Sequence, residues 1–340
     1  MDYSGVYEAE FHIRRLNPDT WGDTGEPIPV NSISISGNCT DSVPLLQTAD
    51  VETDEMLEPG WYHAYMIARQ DSSEKVPLGV FLYRGASVEH NYGMDISSSK
   101  MESVLKPADT TVTLGDYAPE GSDGPTQVAR LLRACPVKAP VYIEGSFKLA
   151  HHVVFSPGGT YLAAIWDILD SGGFCMQLDG DGGIHIMPKP TTPDLELARS
   201  DLGMLMPGIH EDEDWAVPNR YHAVQNGVTA TAVNESGDNP LSFKSRGYWE
   251  DAYDTSVIRV NGETLQHYAE RKLIEASVRQ RKVSYVREFQ PGVLPFSVVR
   301  CSVPELGLDG DARVVSQSLE CSNGITVSET ICFTEALWQG

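Results

Sequence analysis
The chain has 340 residues, a length that suits about two domains. Its 48 Asp and Glu against 25 Lys and Arg leave a formal charge of −23 at pH 7. Such a chain repels DNA and anionic lipid unless a local patch reverses the field. The hydrophobic share of 41% and charged share of 21% are globular rather than disordered values.

In chain order, Tyr7, Ala9, Phe11 and Ile13 alternate with polar residues, the period of a half-buried strand. Asn31–Ser36, Trp61–Ala68 and Val76–Glu89 also read as strands, punctuated by Gly37-Asn38, Pro59-Gly60 and Pro77-Leu78-Gly79. Residues 96–125, rich in Ser, Asp, Gly and Pro, read as a connection. A short helix is expected over Pro125–Leu132 and a strand over Val141–His152. Leu162, Ile165, Trp166 and Leu169 form one apolar helical stripe within Thr160–Asp170, stopped by Gly172-Gly173. Phe174–Leu178 and Ile184–Met187 flank Asp179-Gly180-Asp181-Gly182-Gly183 as a hairpin. Pro188-Lys189-Pro190 marks a boundary. Beyond it, Arg220–Gln225 and Val228–Asn234 flank Asn226-Gly227, the pair that suits a type I′ turn. Thr264–Val278 is a helix with Leu265, Tyr268, Ala269, Leu273 and Ala276 on one side. Arg313–Cys321 and Ile325–Thr334 close the chain as a hairpin.

The expected fold is mainly β with α+β insertions. Residues 1–95 form a first β domain, 96–190 an inserted α+β domain, 191–235 with 283–340 a second β domain, and 236–282 a helix-containing insertion.

Searches for chemistry return little. The acidic turn 179–183 runs into an apolar strand, where a calcium loop needs further ligands, so it reads as a turn, as does Asp309-Gly310-Asp311. His210-Glu211-Asp212-Glu213-Asp214 reads as a solvated acidic run rather than a cation site. His151-His152, in a strand pattern, point to opposite faces. No Gly-x-Ser-x-Gly elbow, phosphate loop or His-Glu-x-x-His occurs. The group Arg271–Lys282 reads as a helix face paired with acidic neighbours, with contact to an acidic subunit as the alternative. Cys39, Cys135, Cys175, Cys301, Cys321 and Cys332 lack metal or redox spacing and are expected as free, mostly buried thiols. No apolar run reaches the ~18 residues of a membrane span, and Met1-Asp2-Tyr3-Ser4-Gly5 opens no signal peptide. No residue is assigned a catalytic, cofactor-binding or metal-binding role. Two readings stand beside a structural one. One is a cell-wall hydrolase using two carboxylates. The other is a carbohydrate-binding module using Trp61, Tyr62, Tyr65, Tyr248 and Trp249, residues that read more readily as barrel core.

Three stretches resemble bacteriophage tail-tip or baseplate hub proteins, which are related in architecture to the type VI secretion spike. They are Tyr161–Leu169 through Gly172-Gly173-Phe174 to Leu178–Gly183 and Pro188; Val217-Pro218-Asn219-Arg220-Tyr221 with Leu241–Tyr248; and Asn261–Leu265 with its helix and Val314–Leu319. The similarity is one of order and spacing over most of residues 80–335. It implies two tube-type β-barrels per chain, a homotrimer whose six barrels match the sixfold tail tube, and partners among tube, distal tail and tip or spike proteins. It further implies a non-enzymatic virion component, assembled in bacterial cytoplasm, through which DNA passes without specific binding. The chain ends at Gly340, just after the last hairpin, so any lytic activity is expected from another protein.

Overall fold
The computed structural model describes residues 7–40, 43–70, 72–85, 87–91, 94–198, 201, 204–205, 210–211 and 216–340. The first β region contains β1 (Glu8–Asn17), β2 (Gly22–Pro29), β3 (Ser32–Asn38), β4 (Leu46–Glu52), β5 (Gly60–Arg69), β6 (Ser73–Tyr83), β7 (Ser87–Asn91) and β8 (Met94–Ser103). Alternation works as the sequence indicates: Phe11, Ile13, Ile33 and Ile35 turn inward while their neighbours face out.

An α+β unit follows. It holds α1 (Lys106–Thr110), β9 (Tyr117–Ala118), α2 (Gly124–Ala134), β10 (Val141–Ile143), β11 (Val153–Val154), α3 (Tyr161–Ser171), β12 (Phe174–Leu178) and β13 (Ile184–Pro188). Asp123 and Thr160 cap α2 and α3 by accepting from Thr126 and Ala163 N–H groups. The α3 stripe of Leu162, Ile165, Trp166 and Leu169 is buried. Of the strand expected over Val141–His152 only β10 forms, and β11 begins just past its end. The interruption holds Phe147, whose ring lies where a Cβ on Gly124 or Gly172 would fall, 2.2 and 2.4 Å away. Both positions therefore exclude a side chain.

The remaining elements are β14 (Leu195–Leu197), β15 (Met204–Leu205), β16 (His210–Glu211), β17 (Arg220–Gln225), β18 (Val228–Val233), α4 (Phe243–Arg246), β19 (Asp251–Asp254), α5 (Leu265–Ala276), β20 (Val278–Glu288), β21 (Val298–Val303), β22 (Leu308–Cys321) and β23 (Ile325–Ala336). Asn226 and Gly227 turn the β17–β18 hairpin with φ of 52° and 77°, the left-handed pair that a type I′ turn requires. Residues 212–214 of the acidic run lie outside the described residues.

One sheet joins both β regions. Its path runs β15-β20-β23-β22-β3-β4-β8-β6-β5-β1-β2, with β22 pairing β3 antiparallel from Ser316↔Asn38 to Cys321↔Ile33. It wraps two cores. Phe11, Ile13, Tyr62 and Met66 share the first with Leu319, Ile325 and Val327. Strands this far apart in the path meet only if the sheet curls. Val283, Tyr285, Val299, Val314 and Ile331 form the second core.

Several boundaries differ from the sequence reading. β8 lies in the presumed connection yet pairs with β4 and β6, so the first β region extends to Ser103. The β17–β18 hairpin pairs in parallel with β19 and packs on α5 through Ala223, Ala232, Tyr268 and Leu273, so it belongs with the helical insertion rather than the large sheet. β20 begins at Val278, before the expected boundary at 282. Asp309-Gly310-Asp311 lies inside β22, paired with Ser302, Cys301 and Arg300. The chain has already reversed at the short helical turn Pro304–Leu306 and Gly307.

Between the two cores sits a buried ion pair. The Glu329 carboxylate accepts from Arg287 Nη2 and Nε, both at 3.0 Å. It also accepts from Gln317 Nε2 at 2.9 Å and the Tyr285 hydroxyl at 2.5 Å. Arg287 and Glu329 side chains are 3% and 0% exposed, so neither charge has water to fall back on. Burial, then the Glu329 charge, pushes the Tyr285 phenol up, keeping it a donor.

The inserted units are fastened by polar joints. The 179–183 turn docks on the first β region: Trp21 Nε1 donates to the Asp181 carbonyl at 3.0 Å, and His63 sits between Asp23 at 3.0 Å and Asp181 at 3.5 Å. A Cβ on Gly180 would lie 2.4 Å from the Pro77 carbonyl oxygen, so only glycine allows that approach. Asp170 at the end of α3 joins Lys189 and Lys272, each at 2.7 Å. Burial opposes its charge, but the two lysines outweigh it and hold the carboxyl at about 2.

Glu329→Gln should lower stability by about 3–5 kcal/mol, because Arg287 is left buried and uncompensated. Asp309→Asn, an exposed control, should change it by less than about 0.5 kcal/mol; urea unfolding at pH 7 measures both. Because the Asp170 carboxyl is depressed, its contribution is complete above the ordinary carboxylate range and fades as pH falls from about 4 toward 2. Asp170→Asn should therefore melt lower than the parent at pH 7, and the gap should close on acidification to pH 2.

Candidate functional site
The six cysteines are free, five of them buried. Burial pushes the Cys39 thiol up to about 11 and Cys175 to about 12, so neither supplies a thiolate at neutral pH. Among the described residues, no cluster of three His, Cys, Asp or Glu is placed to hold a metal, and no helix is long and apolar enough to cross a membrane. The Asp179 carboxylate is already occupied by Gly183 N–H at 2.7 Å and His185 at 2.8 Å. The basic group is paired: Arg271 with Glu263 and Glu275, Lys272 with Asp170 and Glu275, Arg279 and Arg281 with Glu335.

The aromatic candidates do not form one binding face. Tyr62 and Tyr65 are buried. Trp61 is half-buried against Trp21, with ring centroids 5.9 Å apart. Trp249 is sandwiched between Phe243, at 4.3 Å, and the Arg220 guanidinium, at 4.7 Å. Tyr248 lies beneath Arg246.

A cleft of about 690 Å³ lies between the α+β unit and the β17–β19 unit, within the usual range for ligand sites. The segment before β11 brings His151 and His152 to it, α3 brings Thr160 and Asp167, and the end of β17 with the loop after β19 brings Gln225, Asn226, Thr255 and Ser256. These residues are too far apart in sequence for any motif to unite them. The two histidines therefore share one cleft, although strand alternation would have sent them to opposite faces.

Gln225 links His151 to the loop after β19. Arg259 Nε donates to Gln225 Oε1 at 3.0 Å, so the Gln225 amide nitrogen faces Val257 O at 3.1 Å and His151 Nε2 at 2.8 Å. His151 Nε2 also lies 3.1 Å from Val257 O, so a donor and an acceptor both face it and either ring tautomer finds a partner there. Burial, then Arg259, lowers the His151 imidazole, which keeps it neutral. His151 Nδ1 is buried without a hydrogen-bond partner. Asp167 has no hydrogen-bond or ion-pair partner among the described residues. Burial, then the charges of Asp254 and Asp170, hold its carboxyl above the ordinary value. At the rim, Tyr117 lies across from Val154 in the β9–β11 pair and packs on His152 at 6.1 Å.

A second polar surface lies on the large sheet. Opposite the first core, Thr48, Ser36, Ser318 and Ser328 form one row across β4, β3, β22 and β23. Asp50, Ser34, Glu320 and Thr326 form the next. The Ser34 and Ser318 hydroxyls donate to Glu320 Oε1 at 2.7 and 3.1 Å. These two rows carry small hydroxyls and acids, and in β8 they continue to Glu102 opposite Thr48 and Lys100 opposite Asp50.

No protein-family model matches this chain, and neither does any curated protein. Solved structures do. A tail protein from Neisseria meningitidis MC58 superposes with a TM-score of 0.66 at 13% identity, over 97% of this chain and 98% of that one. The 43 kDa tail protein of prophage MuSo2 from Shewanella oneidensis gives 0.60 at 11% identity, over 96% and 98%. The prophage tail protein gp18 from Listeria monocytogenes gives 0.51 at 10% identity, over 95% and 94%. Along nearly its whole length, this chain has the fold of phage tail proteins.

Proposed function
We propose that this protein is a structural hub at the distal end of a phage tail. Three copies close a ring that joins the sixfold tail tube to the tip or spike. The observation that carries this reading is the fold likeness to a tail protein over 97% of the chain. The two cores under one sheet support it as the interiors of two barrels per chain, six per ring. The hydroxyl and acid rows of β3, β4, β22 and β23 suit the channel lining, because a surface on which acids and hydroxyls outnumber basic groups holds DNA phosphates weakly. Tube, distal tail and spike proteins are the partners in this reading, the virion is the location, and the role is assembly rather than catalysis.

Native mass spectrometry of the purified chain across a concentration series tests the ring. A threefold mass that persists on dilution is expected, since obligate interfaces bury roughly 2,000 Å² or more. A monomer at every concentration, with no ring when the tube protein is added, would overturn the reading. Murein-lysis assays should read zero in either case.

A further inference from the structure
We infer that the α+β unit is a hinged flap: it lifts off the large sheet as one body, without unfolding the sheet, and stays joined to the β17–β19 unit. Its main-chain bonding is lopsided. Among the described residues, no backbone hydrogen bond joins α1–β13 to the large sheet. On the other side the unit is stitched to the loop after β19. The Ala150 N–H donates to the Arg259 carbonyl at 2.9 Å and the Asn261 N–H to the Lys148 carbonyl at 2.7 Å, around a Leu149–Val260 bridge. The unit also carries its own interior. Leu131, Leu132, Leu162, Ile165, Ile168 and Met176 are fully buried. Of the buried residues in that core, the two β regions supply only Leu16, Leu46, Val80 and Phe296.

The grip on the sheet falls at three bulky residues with strained backbone. Trp21, Leu46 and Phe296 have φ of 54°, 68° and 75°, a region that is costly for large side chains. Among the described residues, the one other non-glycine with positive φ is Asn226, in its hairpin turn. All three pack on the α+β core, and each has a hydrogen bond across the joint at or beside it. Trp21 Nε1 donates to the Asp181 carbonyl at 3.0 Å. Trp166 Nε1 donates to the carbonyl of Pro44, two residues before Leu46, at 3.1 Å. Gln177 Nε2 donates to the carbonyl of Pro295, next to Phe296, at 3.0 Å. Docking thus holds three unfavourable backbone conformations in place, and lifting lets them relax. A joint made of side-chain bonds and working against its own strain opens before the paired strands do.

Hydrogen exchange followed by nitrogen-15 NMR on the full chain tests the flap, because the Trp21 and Trp166 indole N–H groups both bridge the joint. Their protection factors should agree within about threefold and lie at least about tenfold below those of the Val327 and Ile331 amides in β23, as a sub-global opening requires. Phe296→Ala and Phe296→Gly separate strain from lost packing: both remove the ring, but only glycine is at ease with φ of 75°. The Trp166 indole should exchange about fivefold faster in Phe296→Ala than in Phe296→Gly. The flap is overturned if the two indoles open independently, if they exchange only as slowly as the β23 amides, or if Phe296→Gly exchanges as fast as Phe296→Ala. Should neither Phe296 variant fold, the two indoles of the parent chain decide alone.

Discussion
The structure depends on an ion pair with no access to water. Arg287 and Glu329 lie on the inner face of the large sheet, where one hydrophobic core gives way to the other. Leu319 and Val327 point into the first core, Val314 and Ile331 into the second, and Gln317 and Glu329 stand between. A continuous apolar interior would let the strands slide toward one large core. Four donors converging on one carboxylate make any register shift costly, because a displaced charge has no second partner. We regard the pair as a divider that fixes where one β unit stops and the next begins.

The insertions then attach without disturbing that sheet. The α+β unit has its own core, to which Leu16, Leu46 and Val80 of the β strands contribute. It is pegged by the 179–183 turn and by the Trp166 indole, which donates to the Pro44 carbonyl at 3.1 Å. The β17–β19 unit and α5 bury a smaller set of alanines and tyrosines. They meet the α+β unit largely through polar contacts such as Asp170 with Lys272. A joint of this kind leaves a cleft where a continuous apolar core would have closed it. The concave, polar part of the molecule is thus a consequence of how the units are fastened.

Much of this was legible in the sequence where periodicity and turn chemistry agree. The α3 stripe, the Asn226-Gly227 hairpin and the last hairpin follow from spacing alone. β8 was hidden because its described inward residues are Ser99, Met101 and Ser103, which read as a linker. β20 was hidden because Arg279, Arg281, Lys282 and Arg287 make it look like a solvated charged run, when Arg287 is in fact buried. Glu329 likewise has the local context of an exposed strand residue, and nothing nearby in sequence announces its partner. The cleft was not legible at all. Its residues come from four separate segments between Thr113 and Ile258.

The most direct test of the account is an electron cryomicroscopy reconstruction of the intact phage tail. Three copies of this chain should encircle the axis at the distal end of the tube, with the Ser36–Ser318–Ser328 row facing the channel. A different copy number at that position, density for the chain elsewhere in the virion, or that row facing outward would contradict it.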